Sequence, residues 1–227
     1  MFIPLHDGTP LQVIRFQFVT LAIIAINVVV FLSTGAFSTE VVQASIESGF
    51  GVVPTELLHA TAAQGNLPEP LTLITYLFLH AGWMHLIGNM LFLWVFADNV
   101  EDAFGYVGFI IFYLLTGAIG ALTFVYMSPN SASPLIGASG AVSGVLASYL
   151  VLFPRARVWI LLFMRIPVPV PAVFVLSGWF LLQVFNLAAA GPTDDVAWWA
   201  HIGGFSAGLI LTLVLRNRLF IKPNGRN

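Results

Sequence analysis

The sequence contains no cysteine, and only 8% of its 227 residues are charged. The lack of cysteine excludes disulfide bonds and thiolate metal ligands. Soluble domains carry about 25% charged residues, so this chain has too few to cover the surface of a soluble globule. The net charge of −2 provides no basic surface for nucleic acid. These shortages indicate a protein of the lipid bilayer.

Apolar residues make up 59% of the chain, and the mean hydropathy is +0.94. A transmembrane helix needs roughly 20 predominantly apolar residues. Segments near this length predict an all-α integral membrane protein with six transmembrane helices. The predicted spans are Phe16–Leu32, Met84–Ala97, Tyr106–Met127, Leu135–Phe153, Ala172–Ala190 and Ala197–Leu215.

One further apolar segment, Val158–Met164, is too short to span a bilayer. Pro167, Pro169 and Pro171 follow it and exclude a continuous helix there, because proline lacks the backbone N–H and clashes with the preceding turn. We therefore place this segment at a membrane interface.

The basic residues predict the orientation of the chain. With six spans, the N-terminus, the loop after the fourth span and the C-terminus share one side. All eight basic residues lie in these segments: Arg15, Arg155, Arg157, Arg165, Arg216, Arg218, Lys222 and Arg226. The positive-inside rule makes that side cytoplasmic. Three acidic residues on the same side carry little weight in the rule: Asp98, Glu101 and Asp102.

The domain organisation follows from the spans and the charges. We expect residues 1–15 to form a short cytoplasmic N-terminus, residues 16–215 a single six-helix domain, and residues 216–227 a basic cytoplasmic tail. The small size of the chain favours a prokaryotic plasma membrane, with both termini in the cytoplasm.

Polar side chains in three spans are predicted to lie at a similar depth. His80 and His85 are near the start of the second span, Ser139 near the start of the fourth, and His201 near the start of the sixth. Ionisable groups within a bilayer are costly and mark functional sites. Asn89 is four residues after His85, so the two share a helix face. His80 is better interpreted as a structural residue.

Small residues predict which helices meet. Gly140 and Gly144 form one stripe, and Gly204 and Gly208 continue the face of His201. Such stripes let membrane helices approach closely, which would bring His201 within hydrogen-bond distance of Ser139. Gly137 would free the backbone beside the serine hydroxyl. Taken singly, these stripes are more typical of packing, and a serine in a membrane helix usually bonds a carbonyl of the preceding turn.

The segments "HAGWMHLIGNM", "GASGAVSG" and "AHIGGFSAG", in this order, resemble the three signature segments of the rhomboid intramembrane serine proteases. The resemblance extends from about Gln17 to Leu215 and implies the six-helix rhomboid bundle with a Ser–His dyad. It implies that Ser139 is the nucleophile and His201 the general base. His85 and Asn89 match side chains that stabilise the oxyanion, and the backbone at Gly137 is assigned to the same task.

These roles agree with the chemistry of the residue types. A serine hydroxyl is a weak nucleophile that needs an adjacent base, and no acidic residue in the spans provides a third member. The resemblance implies an intramembrane serine endopeptidase that cleaves transmembrane segments of membrane proteins near the outward membrane face. We expect no cofactor and no metal ion. The expected partners are transmembrane protein substrates and the lipid bilayer.

Other interpretations predict different sequence features. Ser143 stands where rhomboid proteases often carry an aromatic residue against the histidine. A non-proteolytic rhomboid relative, acting as a binding or quality-control factor for membrane proteins, is the main alternative. A membrane metalloprotease would need an H-E-x-x-H motif, an aspartyl protease would need two intramembrane aspartates, and a transporter would show inverted repeats. The sequence has no H-E-x-x-H motif and no aspartate in the middle of a predicted span.

Overall fold

The computed structural model describes residues 3–59, 67–162, 165–191 and 196–220. Within these ranges the chain forms eight α-helices, three β-strands and two short 3-10 helices. In chain order the helices and strands are β1 (Ile3–His6), α1 (Phe18–Thr34), α2 (Glu40–Phe50), α3 (Pro54–His59), α4 (Glu69–Thr75), α5 (Trp83–Met127), α6 (Ser139–Leu152), β2 (Arg157–Leu162), β3 (Ile166–Pro171), α7 (Ala172–Ala189) and α8 (Trp198–Leu215). The 3-10 helices are Tyr76–Phe78 and Arg216–Arg218.

Three helices of the described residues are long and apolar enough to cross a membrane: Trp83–Met127, Ala172–Ala189 and Trp198–Arg218. Two further apolar helices are shorter, α1 with 17 residues and α6 with 14. Large apolar side chains on the outer helices face away from the protein, among them Phe174 at 70% and Val214 at 73% exposure. Apolar surface of this extent, on helices long enough to span a bilayer, is typical of contact with lipid. The chain is therefore a mostly helical integral membrane protein, as the sequence predicted.

Helix α5 consists of two helices joined at Gly105, where φ is 71° and ψ is 166°. Glycine adopts this positive φ without the steric cost that a Cβ would bring. The two halves of α5 contain the predicted spans Met84–Ala97 and Tyr106–Met127. A single glycine thus replaces the loop that the sequence analysis placed between them.

Helix α6 lies at the centre of the protein. All ten residues from Gly140 to Tyr149 are buried, and α6 packs mainly against α5 and α8. The contact with α8 is between backbones: a Cβ at Gly204 would collide with the carbonyl oxygen of Gly140, and a Cβ at Gly208 with that of Gly144. The predicted packing of the two small-residue stripes is confirmed. Because the pairs advance in the same direction, α6 and α8 run parallel.

The start of α6 differs from the prediction. The predicted span begins at Leu135, whereas the helix begins at Ser139. Leu135 instead exchanges two backbone hydrogen bonds with Val52, of 3.0 and 2.8 Å, and Gly137 has a φ of 113°. Apolar composition alone does not distinguish an extended pairing of this kind from a first helical turn.

A small antiparallel sheet in the order β1-β2-β3 was not predicted. The apolar segment expected at an interface forms β2 over its first five residues, and residues 163–164 lie outside the described ranges. Pro167, Pro169 and Pro171 all lie in β3, which is an edge strand. Prolines at alternate positions of an edge strand lack N–H groups only on the side away from β2. The prolines therefore exclude a helix but permit a strand.

The acidic residues on the basic side of the protein bind backbone amides. The Glu101 carboxylate accepts hydrogen bonds from the amides of Val19 and Thr20, at 3.0 and 2.7 Å, and from the Thr20 hydroxyl at 2.6 Å. It thereby caps the start of α1, which has no side-chain cap of its own. The Asp102 carboxylate accepts from three amides, each at 2.7 Å: those of Gln12, Val13 and Ile14.

Candidate active site

Ser139 and His201 are in direct contact. Ser139 is the first residue of α6 and His201 lies in the first turn of α8. The distance from the Ser139 Oγ to the His201 Nε2 is 2.9 Å, within the normal range of a hydrogen bond. Helices α6 and α8 run parallel and touch through Gly140, Gly144, Gly204 and Gly208, a contact that we call the glycine seam. The side chains of Ser139 and His201 meet at one end of this seam. Residues 62 positions apart in the chain are thus brought together by helix packing.

The other ring nitrogen of His201 contacts α7. Its Nδ1 lies 2.9 Å from the Oε1 of Gln183, and the Gln183 amide nitrogen donates to the Trp179 carbonyl oxygen at 3.1 Å. The Gln183 side chain is buried, with 5% exposure. The two hydrogen-bonding partners described for the His201 ring, Ser139 and Gln183, are therefore both neutral side chains.

Two tryptophan rings flank His201. The Trp179 ring centroid is 6.2 Å away with an interplanar angle of 36°, and the Trp198 centroid is 5.8 Å away at 88°. These rings provide aromatic contacts although position 143 holds a serine. The hydroxyl of Ser143 donates to the carbonyl oxygen of Ser139 at 2.6 Å, so it bonds its own helix and not His201.

Gly137 allows the His85 ring to approach the start of α6. A Cβ at Gly137 would lie 2.5 Å from the His85 Nε2 and 2.7 Å from the Cε1. The positive φ of 113° also favours glycine at this position. The Gly137 N–H donates to the carbonyl oxygen of Tyr76 at 2.9 Å, so it is already satisfied. The lack of a side chain, and not a free amide, is what Gly137 contributes beside Ser139.

Asn89 and His80 each contact His85. The Asn89 side-chain amide donates to the His85 carbonyl oxygen at 3.1 Å within the same helix, and Asn89 is 7% exposed. The His80 ring packs edge-on against His85 with centroids 5.0 Å apart. The structure therefore joins Ser139 to His201 and places His85 beside Gly137, and Asn89 bonds the His85 backbone. No group of three His, Cys, Asp or Glu side chains that could hold a metal ion occurs among the described residues.

The contacts of His201 with α7 were not predicted from the sequence. Gln183 and Trp179 are four residues apart in a predominantly apolar span, so they share one face. A search for ionisable residues passes over a neutral amide. An amide in the middle of a transmembrane segment is nonetheless a signal, because it needs a hydrogen-bonding partner there.

The fold and this cluster define an integral membrane protein with a hydrogen-bonded serine and histidine at the end of a helix seam. The rhomboid domain family model matches residues 68–218. The chain belongs to the rhomboid family.

Curated relatives agree with this membership. The chain is 30% identical over 166 residues to RHOMBOID-like protein 12, mitochondrial, of Arabidopsis thaliana, and the match covers 66% of the chain and 47% of the relative. It is 30% identical over 175 residues to Rhomboid protease GluP of Bacillus subtilis, and the match covers 75% of the chain and 32% of the relative. It is 31% identical over 145 residues to Rhomboid protein 1, mitochondrial, of Saccharomyces cerevisiae, and the match covers 62% of the chain and 40% of the relative. The matched regions thus span about a third to a half of these relatives.

Proposed function

We propose that the protein is an intramembrane serine endopeptidase that cleaves transmembrane segments of membrane proteins. The observation that carries this proposal is the 2.9 Å distance between the Ser139 Oγ and the His201 Nε2. In the first step the Oγ attacks the scissile carbonyl carbon while the Nε2 takes the hydroxyl proton. His201 then gives this proton to the leaving amine, and water, activated by the same nitrogen, hydrolyses the acyl-enzyme.

The start of α6 and the His85 ring would stabilise the oxyanion of the tetrahedral intermediate. The first amides of a helix have no partner within the helix and lie at the positive end of its dipole, and the amide of Ser139 is one of them. The His85 Nε2 lies against Gly137, two residues before Ser139. Gly137 admits the ring, and Asn89 holds the backbone of His85. Donors fixed in this way act where negative charge develops.

The length of α6 supports a site below the membrane surface. A helix of 14 residues is about 21 Å long, against a hydrocarbon core of about 30 Å. If the end at Leu152 lies at one interface, Ser139 lies several ångströms inside the other. We propose six spans: α1, the two halves of α5, α6, α7 and α8. The other spans would then surround a recess that water can enter from the outward face.

The proposed orientation rests on the basic residues. Residues 1–15 and 216–227 and the loop after α6 would be cytoplasmic, and residues 16–215 would form the protease domain. The seam between α6 and α8 then opens at the outward face, opposite the small sheet. The relatives include mitochondrial proteins, so they do not support the expectation of a prokaryotic plasma membrane.

The test is covalent labelling of the purified protein in liposomes with a serine-directed fluorophosphonate, together with cleavage of a model transmembrane substrate. We expect Ser139→Ala to lose both signals while remaining folded. His201→Ala should lose cleavage and label slowly, because an unactivated hydroxyl reacts slowly. Full cleavage by Ser139→Ala would overturn the proposal, and a wild type that binds substrate without cleaving or labelling would favour the non-proteolytic alternative.

Ser148→Ala is the matched control for these variants. Ser148 also lies in α6, is fully buried, and its hydroxyl has no hydrogen-bond partner within the described part of the chain. Removing this hydroxyl deletes the same atom from the same helix without touching His201. Wild-type labelling and cleavage are expected, so that a loss in Ser139→Ala reports the position of the hydroxyl.

A further inference from the structure

We propose that Gln183 is a positioning residue that selects the tautomer of His201 in which the Nε2 accepts a proton from Ser139. This inference rests on the proposed function, since it assigns a role within the same site. The hydrogen bonds of the Gln183 side chain go to His201 and to the backbone of its own helix, not to Ser139. Gln183 acts only through the 2.9 Å contact between its Oε1 and the His201 Nδ1.

The orientation of the Gln183 amide is fixed by its second contact. The amide nitrogen lies 3.1 Å from the Trp179 carbonyl oxygen. A backbone carbonyl can only accept hydrogen bonds, so the group facing it must be the NH₂. The oxygen of the amide is therefore the atom that faces His201. The assignment follows from the chemistry of the carbonyl, which resolves the usual ambiguity between the two ends of a glutamine amide.

An amide oxygen in turn accepts hydrogen bonds only. The His201 Nδ1 must carry the proton to make the 2.9 Å contact. A neutral imidazole has a single N–H, so the Nε2 is left with a free lone pair. The Ser139 hydroxyl is then the donor in its 2.9 Å contact with the Nε2. Hydrogen-bond donation thus runs in one direction, from Ser139 to His201, from His201 to Gln183 and from Gln183 to the Trp179 carbonyl.

A neutral amide suits this position in a membrane. In soluble serine proteases a buried carboxylate holds the corresponding nitrogen and fixes the tautomer. A charged side chain at this depth would carry a large desolvation cost, whereas the amide of Gln183 fixes the proton without adding a charge. From α5, the ionisable side chain that faces His201 is His85. From α6, the Ser139 hydroxyl contacts the ring. The Gln183 amide is the group that bonds the Nδ1.

The first experiment measures the rate of Ser139 labelling by a fluorophosphonate in Gln183→Met, which keeps nearly the same volume but cannot accept the hydrogen bond. We expect labelling about tenfold slower than wild type, the effect of one neutral hydrogen bond near the upper end of its usual contribution. Gln183→Glu should label faster than Gln183→Met, because a carboxylate also accepts from the Nδ1. Asn186→Leu, which removes an amide one turn further along α7, should label at the wild-type rate.

The second experiment reads the tautomer directly by ¹⁵N NMR of protein labelled at histidine, with His201→Ala used to assign the ring. Wild type should show a protonated Nδ1 and an unprotonated Nε2, and Gln183→Met should show a mixture of tautomers. A purely structural role would slow labelling in Gln183→Met without changing the tautomer, and would overturn the inference. An unchanged labelling rate would overturn it as well. A wild type that is unlabelled at Ser139 contradicts the proposed function alone, because the tautomer measurement does not need activity.

Discussion

Gly204→Ala is the substitution that tests most directly whether the glycine seam sets the geometry of the candidate site. Gly204 lies three residues after His201 in α8 and faces Gly140, the residue after Ser139. An added Cβ would collide with the Gly140 carbonyl oxygen and would lie 2.8 Å from the carbonyl carbon and 3.2 Å from the Cα. All of these atoms are backbone, so no side chain can rotate away.

The expected magnitude follows from these distances. Ordinary contacts of a Cβ lie at 3.4–4 Å, so α8 must move away from α6 by about 1 Å or more. Overpacking of this kind costs about 1–3 kcal/mol of stability. A misplacement of about 1 Å between reacting groups can cost about 10²-fold in rate. We therefore expect Gly204→Ala to remain largely folded while Ser139 labelling falls by about two orders of magnitude.

The assay compares fluorophosphonate labelling with thermal unfolding in the same detergent. Gly178→Ala is the matched control, because Gly178 lies in α7 and a Cβ there has no atom within 4 Å. It should label and unfold like wild type. If folded Gly204→Ala labels at the wild-type rate, the seam does not set the distance between Ser139 and His201, and the packing argument is wrong.

Two further variants separate stability from chemistry. Asn89→Ala should lower the single-turnover cleavage rate by no more than about 10²-fold while the acyl-enzyme still forms, because His85 and the helix amides remain; a variant as inactive as Ser139→Ala would contradict this supporting role. Glu101→Gln should lower the unfolding temperature, because it weakens charged hydrogen bonds worth about 1.5–3 kcal/mol each at the start of α1. Its labelling rate per folded molecule should equal that of wild type, and an unchanged unfolding temperature would show that the cap does not stabilise α1.

The bounds of α7 and α8 were predicted from the sequence to within one residue. The predicted span Ala172–Ala190 compares with α7 at Ala172–Ala189, and Ala197–Leu215 with α8 at Trp198–Leu215. A bilayer leaves the backbone no water to bind, so an apolar run of this length must be helical. The Ser139–His201 pair was predictable for another reason, because the small-residue stripes of the two helices pack against each other.

The elements outside the apolar runs could not be read in this way. Helices α2, α3 and α4 lie between the first two predicted spans, where no helix was predicted. Strand β3 contains a proline at every second position, which excludes a helix but does not reveal the partner strand. Its pairing with β2, and that of β2 with β1, depends on contacts between segments distant in the chain. Composition carries no information about such pairings.

The two sides of His201 are held by different kinds of contact. On the Nε2 side, Ser139 is fixed by α6, whose residues from Gly140 to Tyr149 are all buried and touch α8 through backbone atoms. On the Nδ1 side, Gln183 belongs to α7, of whose residues only Ala172, Val175, Leu176 and Gln183 are buried. Segments with few buried contacts open at the lowest free energy. The position of the histidine is therefore held more firmly than its tautomer, which depends on how closely α7 stays packed.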